Sequence, residues 1–495
     1  NKIYELGGDF LFGLSPMYFG VYFFVTALII LGVTLFLKKK LVGKDREFYK
    51  VLLVLCIPII VQNFISTSVN VIDTVMISSL GEESIAAVGV ANQVFFLFNM
   101  GLIGLTGATG LFISQFYGSN DRKSIKKVMG LSTILCVGFS FIFFVLAFFF
   151  PELIIGIFST DPKVVELCKS YLVVIAISYP LTALSMVISA GARAVRNPKL
   201  GMFCSGASLI INIIFNYCLI FGIGIFPELG VKGAAISTVF ARIIECLLLV
   251  GYVILKDKDY IIKFNINDIK GINKDFFKVY MSKGMPIFIN DFAWAIGSVS
   301  YSVAYAMVGT SAIAASQIAT STANLFIMLA MCIATGAAIM LGNELGADNT
   351  DRAIDYSNKF SKIVFVVGSI LGGMLILSIP ILLKVYSTSS TMAGDLTKIF
   401  VIMGVLMGLK SFNILVIVGI LRSGGDTKYA FALEFGCMWL VSIPLTFFGA
   451  INGFPIYMLV LFTYSEEIVK AIFGLPRVLS KVWVVNLTKD IEISG

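Results

Sequence analysis

The chain has 495 residues, of which 58% are hydrophobic and only 13% are charged, and its formal net charge is +8. Soluble globular proteins carry about 25% charged residues, so this composition excludes soluble enzymes and indicates a protein of the lipid bilayer. The absence of histidine excludes histidine bases, metal ligands and proton relays. The eight cysteines show no C-x-x-C spacing, so we expect neither a zinc site nor a redox pair, and no cofactor.

Apolar runs long enough to cross a membrane recur along the whole chain. A hydrocarbon core of about 30 Å requires about 20 helical residues. An extra run at 17–37 precedes the others; it is too long for an ordinary signal peptide, and its simplest role is a stabilising helix. Twelve further runs are predicted to span the membrane, at residues 51–79, 84–117, 128–158, 165–192, 200–226, 230–255, 284–308, 312–345, 358–385, 396–422, 429–450 and 454–475.

Lysine and arginine are concentrated in the connections that follow the even-numbered runs, whereas the other connections hold few cations. We call the membrane side that carries these residues the basic side. By the positive-inside bias, the basic side is cytoplasmic, so that residue 51 and the C-terminal tail both lie inside. The sequence therefore predicts a multi-pass protein of the plasma membrane, in a bacterium the inner membrane, with lipids and no nucleic acid as its surroundings.

The chain repeats itself at an offset of about 228 residues, at which Pro58 aligns with Pro286 and Gly118 with Gly346. Each copy contains six runs, an even number, so both copies enter the membrane from the same side. The predicted fold is an all-α polytopic membrane protein of two parallel six-helix repeats, plus one extra N-terminal helix. The predicted divisions are an extra hydrophobic segment (1–49), an N-lobe (50–255), a cytoplasmic linker (256–283), a C-lobe (284–476) and a cytoplasmic tail (477–495).

Several strings in both repeats are similar to those of one transporter family. They include NVIDTVMISSLG, ESIAAVGVANQ, ISQFYGSNDRK, GARAVRNPK, LGNELGADN and GILRSGGDTK. Their order and spacing over residues 50–490 resemble the multidrug and toxic compound extrusion (MATE) family. The resemblance implies twelve helices in two six-helix lobes. It also implies export of amphipathic, often cationic, compounds in exchange for protons or sodium ions.

Polar residues of the first run, Asn63, Ser66, Asn70 and Asp73, recur at helical spacing and form one stripe. Asp73 falls in the outer half of the run. An ionised side chain at the bilayer centre costs at least about 2.5 kcal/mol on insertion scales, so each one needs water, a partner or a proton. We therefore expect Asp73 to accept a proton or a cation. The alternative is a capping or packing carboxylate near the helix end.

Asn212 and Asn216 lie one helical turn apart in the fifth run, and Thr238 lies in the sixth. With Asp73 they are predicted to form a cation-coupling site, with Na⁺ possible at Asp73, Asn212 and Asn216, or a proton instead. In the MATE family, the positions that match Asp73 and the asparagine pair belong to the ion-coupling site of the N-lobe. Some relatives carry a carboxylate where Asn216 stands. Interhelical hydrogen bonding is an equally open role for the two asparagines.

The seventh run carries Asp291, followed at helical spacing by Trp294, Ser298 and Tyr301. Asp291 is interpreted as a second coupling carboxylate or a substrate contact. Lys410 of the tenth run is its expected partner, because an unpaired buried lysine is costly, and a purely structural ion pair is the alternative. Trp294, Ser298 and Tyr301 would line a drug path, although an aromatic stripe on a helix more often has a packing role.

Pro58 and Pro286 are predicted hinges, because proline removes a backbone hydrogen bond and permits bending.

Other charged residues inside the runs are expected to be structural. Spacing predicts in-helix ion pairs for Arg242 with Glu245 and for Glu466 or Glu467 with Lys470, and Arg422 is interpreted as a topology determinant.

The combined prediction is a secondary antiporter, working as a monomer by alternating access, that exports amphipathic cationic small molecules in exchange for H⁺ or Na⁺. A lipid or lipid-linked oligosaccharide flippase is the nearest alternative, but it needs a large cationic cavity, for which only Lys410 and Arg242 are candidates. A membrane enzyme would need a catalytic cluster, which the sequence does not show, so no enzymatic activity is expected. A passive channel is a third alternative.

Overall fold

The computed structural model describes residues 45–156, 161–256, 260–385 and 390–492, and the extra run at 17–37 lies outside them. Within these ranges every regular element is a helix. The helices are α1 (Arg46–Ser78), α2 (Glu82–Gly118), α3 (Arg122–Phe149), α4 (Pro151–Ile155), α5 (Pro162–Ala176), α6 (Ser178–Ala194), α7 (Lys199–Phe221), α8 (Gly230–Leu255), α9 (Ile266–Lys270), α10 (Lys274–Val308), α11 (Thr310–Gly346), α12 (Thr350–Val385), α13 (Ser390–Ile414), α14 (Thr427–Phe435), α15 (Ile443–Ile451), α16 (Ile456–Leu479) and α17 (Leu487–Glu492). A π-helical segment, Leu415–Leu421, extends α13, and another, Gly436–Ser442, joins α14 to α15.

Nine helices of the described part are long and apolar enough to cross a membrane, and a bent pair makes ten. The bent pair corrects the fourth predicted run, because α5 and α6 meet at 46° instead of forming one helix. Pro180, in the first turn of α6, lacks the N–H that would continue the helix from Ala176, and hydropathy does not register this. The seventh and twelfth predicted runs fall on α10 and α16, which are not among these spans because they carry charged residues within their apolar sequence.

The first helix of each repeat packs with the opposite half of the chain at its basic-side end. Phe48 and Leu52 of α1 belong to an apolar core built mainly from α10–α16. Phe276 and Tyr280 of α10 belong to the other core, built mainly from α2–α8. We call α1–α8 the N-lobe and α10–α16 the C-lobe. This exchange locks the two lobes together on the basic side.

The crossing of α2 and α11 closes the basic side further. A Cβ atom on Gly118 would overlap the carbonyl oxygen of Asn343, and one on Gly346 would overlap that of Gln115, so only glycine permits this approach. The Asn343 side chain donates a hydrogen bond of 2.8 Å to the carbonyl of Ser114. The lobes are therefore in backbone contact at this end of the molecule.

The C-terminal tail crosses the same seam. Leu487, which is fully buried, donates its backbone N–H to Oε1 of Gln115 at 2.7 Å. The Gln115 amide in turn donates to the carbonyl of Ser423 at 2.7 Å. Outside this core contact, the Lys489 ammonium lies 2.8 Å from the carboxylate of Asp348. The tail thus joins α2 of the N-lobe to two connections of the C-lobe.

Both predicted hinge prolines lie inside continuous helices. Pro58 is within α1 and Pro286 is within α10, and each helix is continuous through its proline. Two residues after Pro286, the backbone of Phe288 approaches Gly104 of α2 so closely that a Cβ atom on Gly104 would lie 2.7 Å from the Phe288 Cα. The hinge role of the two prolines stays a prediction.

Candidate ion-coupling sites

The four residues predicted to form the N-lobe site are joined in one hydrogen-bonded chain. The Asn216 amide donates to the Asp73 carboxylate and to Oδ1 of Asn212, the latter at 3.2 Å. Asn212 donates to Oγ1 of Thr238 at 3.3 Å. The chain therefore links α1, α7 and α8, and the carboxylate stands at its α1 end.

The hydrogen-bonded series of Asp73, Asn216, Asn212 and Thr238 can accept one positive charge. Asn212 and Asn216 are 1% and 0% exposed, whereas Asp73 is partly exposed. Oδ1 of Asn216 is buried and accepts no hydrogen bond from the part of the chain that the structure describes. An unsatisfied buried acceptor beside a carboxylate is costly unless a cation, a proton or water reaches it. The residues present therefore fit a coupling ion, either H⁺ or Na⁺.

A polar cleft adjoins this site, between α1, α7 and α8. Asn212 and Thr238 line it, together with Ser66, Ser208 and Arg242. The Arg242 guanidinium lies 2.7 Å from the carboxylate of Glu245, so the predicted in-helix pair is confirmed. The cleft is therefore polar, but its cation is already neutralised.

The C-lobe carboxylate Asp291 pairs with a different cation from the expected one. The Arg422 guanidinium holds it with two hydrogen bonds, of which Nη1 to Oδ2 measures 3.1 Å. Lys410 instead lies 3.8 Å from the carboxylate of Glu467 and 4.6 Å from the ring centre of Tyr464. The predicted Asp291–Lys410 pair is wrong. Lys410 and Arg422 are twelve positions apart, about 18 Å along a helix, and Arg422 lies directly after the π-helical segment Leu415–Leu421, where its side chain reaches Asp291.

Seven charged residues of the C-lobe form what we call the charge cluster. Its four carboxylates are Asp291, Glu434, Glu466 and Glu467, and its three cations are Lys410, Arg422 and Lys470. The predicted pair of Glu466 with Lys470 is confirmed at 3.2 Å, but Lys470 also lies 3.0 Å from Glu434 of α14. Sequence analysis missed Glu434 and misjudged Arg422. The available signal was an ionisable residue inside an apolar run, which is rare without a partner.

The three residues that follow Asp291 have different surroundings. Trp294 is 38% exposed, and Ser298 donates to the backbone carbonyl of Ala295. Tyr301 is buried, and its hydroxyl lies 3.0 Å from Glu466 and 2.7 Å from Ser442. Tyr301 therefore contacts the charge cluster, of which Lys410 is a member, and of Trp294, Ser298 and Tyr301 only Trp294 has substantial exposed surface.

Comparison with known proteins identifies the family. The sequence profile of MatE matches residues 58–218 and 286–448, which are the two repeats beginning at the paired prolines. The chain belongs to the MatE family. Its members are membrane transporters, so the predicted membership and the all-α membrane fold are both confirmed, although the count of twelve spans is not fixed.

Two similar proteins of bacteria illustrate the relatives of this MatE chain. It is 25% identical over 83% of its length to an "Uncharacterized transporter YisQ" of Bacillus subtilis, covering 90% of that protein. It is 24% identical over 81% of its length to a "Probable multidrug resistance protein NorM" of Thermotoga maritima, covering 85% of it. A crystal structure of MATE in complex with MaL6 has the same fold, with a TM-score of 0.79 at 18% identity, over 87% of this chain and 96% of that one. A multi-pass protein of a bacterial inner membrane agrees with these relatives.

Proposed function

We propose that this MatE transporter is a monomeric efflux antiporter that exports amphipathic, cationic compounds in exchange for H⁺ or Na⁺. The main support is the environment of Asp73, a partly exposed carboxylate in a membrane helix. Among the described residues, the only hydrogen-bond donor to this carboxylate is the Asn216 amide. No ion pair is formed by Asp73 among the described residues. A carboxylate in that position can be neutralised by an ion from water.

The closed basic side supports a cycle of alternating access. Backbone contacts at Gly118 and Gly346 and the tail contact at Leu487 all lie on that side, which positive-inside bias makes cytoplasmic. The arrangement therefore suits an outward-facing carrier. In this state, the Asp73 site takes up an ion from outside and bound drug leaves. Rocking of the lobes then opens the cytoplasmic side for the next drug molecule.

The residues of the site are suited to either ion. A sodium ion would be held by the Asp73 carboxylate and the side-chain oxygens of Asn216 and Asn212, which are hard oxygen ligands. A proton would sit on Asp73 itself. In both cases one positive charge neutralises one carboxylate, and Thr238 orients Asn212 from behind. The substrate is proposed to contact Trp294 and Ser298 of α10, near Asp291.

The flippase alternative has little support in the geometry. A cavity for an anionic lipid-linked sugar needs free cations, and the two candidates are both neutralised. Arg242 pairs with Glu245 at 2.7 Å, and Lys410 lies 3.8 Å from Glu467. The fold of a transporter family also gives no reason to infer an enzyme.

The test is uphill export from proteoliposomes. The purified chain is reconstituted with a fluorescent lipophilic cation, and a pH gradient or a sodium gradient is imposed separately. We expect export of the fluorescent cation against its own gradient when either the pH gradient or the sodium gradient is imposed. The gradient that drives export identifies the coupling ion. Downhill leakage that ignores both gradients would indicate a channel. Movement of a labelled lipid without movement of the cation would favour the flippase.

A further inference from the structure

The charge cluster of the C-lobe contains more negative than positive groups. Its four carboxylates face three cations; Arg422 directly follows the π-helical extension of α13, and the other six groups lie on α10, α13, α14 and α16. With every group ionised, the cluster would carry one uncompensated negative charge. Glu466 and Lys470 are only 6% and 3% exposed, so water does not screen that charge. A buried unpaired charge is costly, and a carboxylate in such a place takes up a proton instead.

The partners of each carboxylate indicate which one is least compensated. Arg422 holds Asp291, and Asn413 donates to Glu467 at 2.9 Å, beside Lys410. Glu434 receives the closer contact from Lys470, at 3.0 Å, and a hydrogen bond of 3.2 Å from Asn290. The fourth carboxylate, Glu466, shares the same Lys470 at 3.2 Å. Glu466 has no cation of its own within the described part of the cluster.

A count of hydroxyl hydrogens leads independently to the same residue. Ser442 donates to the backbone carbonyl of Thr463 at 2.9 Å, and that bond uses its only hydrogen. The Tyr301 hydroxyl has one hydrogen and lies 2.7 Å from Ser442 and 3.0 Å from Oε2 of Glu466, to which it donates when that carboxylate is ionised. The three contacts therefore share two hydroxyl hydrogens. A proton on Glu466, donated to Tyr301, supplies the third.

We propose that Glu466 holds an exchangeable proton and forms a second proton site, separate from Asp73. The groups that face it are Tyr301 and, farther along, Tyr305 of α10, Lys410 of α13, Glu434 of α14, Cys437 of the π-helical segment after α14, and Glu467, Lys470 and Tyr464 of its own helix. A metal ion is a poor occupant, because the ammonium of Lys470 stands 3.2 Å from Glu466 and would repel it. The described residues also contain no group of three acidic or thiol side chains that suits a metal.

The position of the cluster connects this proton to movement of the lobes. Hydrogen bonds and ion pairs run from Glu466 through Lys470, Glu434 and Asn290 to Asp291 and its partner Arg422. The Arg422 guanidinium lies 3.9 Å from where a Cβ atom of Gly107, on α2 of the N-lobe, would stand. Separation of the lobes on the basic side exposes Arg422 to water. Water screens the guanidinium charge and weakens its interaction with the carboxylates, so the affinity of the cluster for the Glu466 proton changes and the proton is exchanged.

Infrared spectroscopy of the purified full-length chain tests the site directly. The D73N variant removes any contribution from Asp73, and it should show at neutral pH the carbonyl stretch of one protonated carboxylic acid. The band should vanish in D73N/E466Q and persist in D73N/E344Q, which removes a buried carboxylate that lies 3.9 Å from Arg352 outside the cluster. A D73N spectrum without the band, or a band that E466Q leaves intact, would overturn the proposal.

Two further comparisons remain informative if E466Q is poorly folded. Y301F removes the group that accepts the Glu466 proton, so it should shift the carbonyl band. Y305F makes the same change one turn along α10, where the hydroxyl contacts Thr463 at 2.7 Å, and should leave the band in place. Equal spectra for Y301F and Y305F would contradict the proposal. The proposed proton site does not depend on the antiport proposal. The infrared band tests the proton site, uphill efflux tests antiport, and each can be positive when the other is negative.

Discussion

Gly118 of α2 and Gly346 of α11 occupy equivalent places in the two repeats, and each is packed against the other helix. A Cβ atom on Gly118 would overlap the carbonyl oxygen of Asn343, and one on Gly346 would overlap that of Gln115. The repeat offset relates all four residues in pairs. The seam on the basic side is therefore a symmetric backbone contact between the lobes.

Substitution of Gly346 by alanine should weaken this seam. Overpacking of a close contact costs about 1–3 kcal/mol, and here the neighbour is backbone, which cannot rotate away. We expect faster modification of a cysteine introduced at Ser114 by a membrane-impermeant maleimide applied from the basic side. Gly110→Ala is the control, because its Cβ atom would meet no described atom within 4 Å. Equal labelling rates in the two variants would argue against a seam that depends on glycine.

Removal of the Asp291 charge should be more harmful than removal of the whole ion pair. Asp291→Asn leaves the guanidinium of Arg422 buried without its carboxylate, and breaking a buried pair costs about 3–5 kcal/mol. We expect a large fall in melting temperature for D291N and partial recovery in D291N/R422Q, measured by thermal unfolding in detergent. A double variant less stable than the single one would show that the pair is not coupled. In transport assays, D291N should alter substrate preference more than ion dependence.

The tail contact should depend on burial more than on charge. Leu487 is fully buried, and replacing a buried leucine by alanine costs about 2–5 kcal/mol. Lys489 forms an exposed ion pair with Asp348, and such pairs add little stability. Thermal unfolding should therefore separate Leu487→Ala, with a clearly lower melting temperature, from Lys489→Ala, with a small change. The reverse order would contradict the role of the buried contact.

The same pair gives a pH expectation for the tail. Hydrogen bonds from Lys489 and Asn486 hold the pKa of Asp348 below its usual value. A lowered pKa means that the contact is complete above the usual pKa of an aspartate and is lost as the pH falls through the lowered value. Protease cleavage of the tail should thus be unchanged from neutral to mildly acidic pH. Cleavage that increases with mild acidification in the wild type, and not in Asp348→Asn, would contradict this sign.

The sequence predicted well what depends on periodicity. Apolar runs locate most of the described helices, and the repeat offset alone pairs Gly118 with Gly346, which the structure shows at one seam. Helical spacing also placed Asn212 and Asn216 on one face, toward Asp73. These features are set by local geometry, which is the same in every helix.

Features set by tertiary geometry were not predictable in this way. Hydropathy did not reveal the break between α5 and α6, because Pro180 changes backbone hydrogen bonding without changing apolarity. Spacing fixes the face of a helix but not which cation on a neighbouring helix reaches it, so the sequence did not reveal that Arg422, and not Lys410, is the partner of Asp291. Arg422 directly follows the π-helical segment Leu415–Leu421, in a turn, and its position near the end of an apolar run does not show that its side chain pairs with Asp291 of α10.

The most direct test of the central claim is gradient-driven efflux by the Asp73→Asn variant in proteoliposomes. We expect the variant to lose uphill export but to reconstitute and melt as the wild type does, because asparagine keeps the shape of the side chain and removes its titratable charge. Asp161→Asn is the matched control, since Asp161 caps α5 through the N–H of Lys163 at 2.9 Å, which asparagine also does, and should transport normally. Undiminished uphill export by D73N under the same gradient would contradict the account.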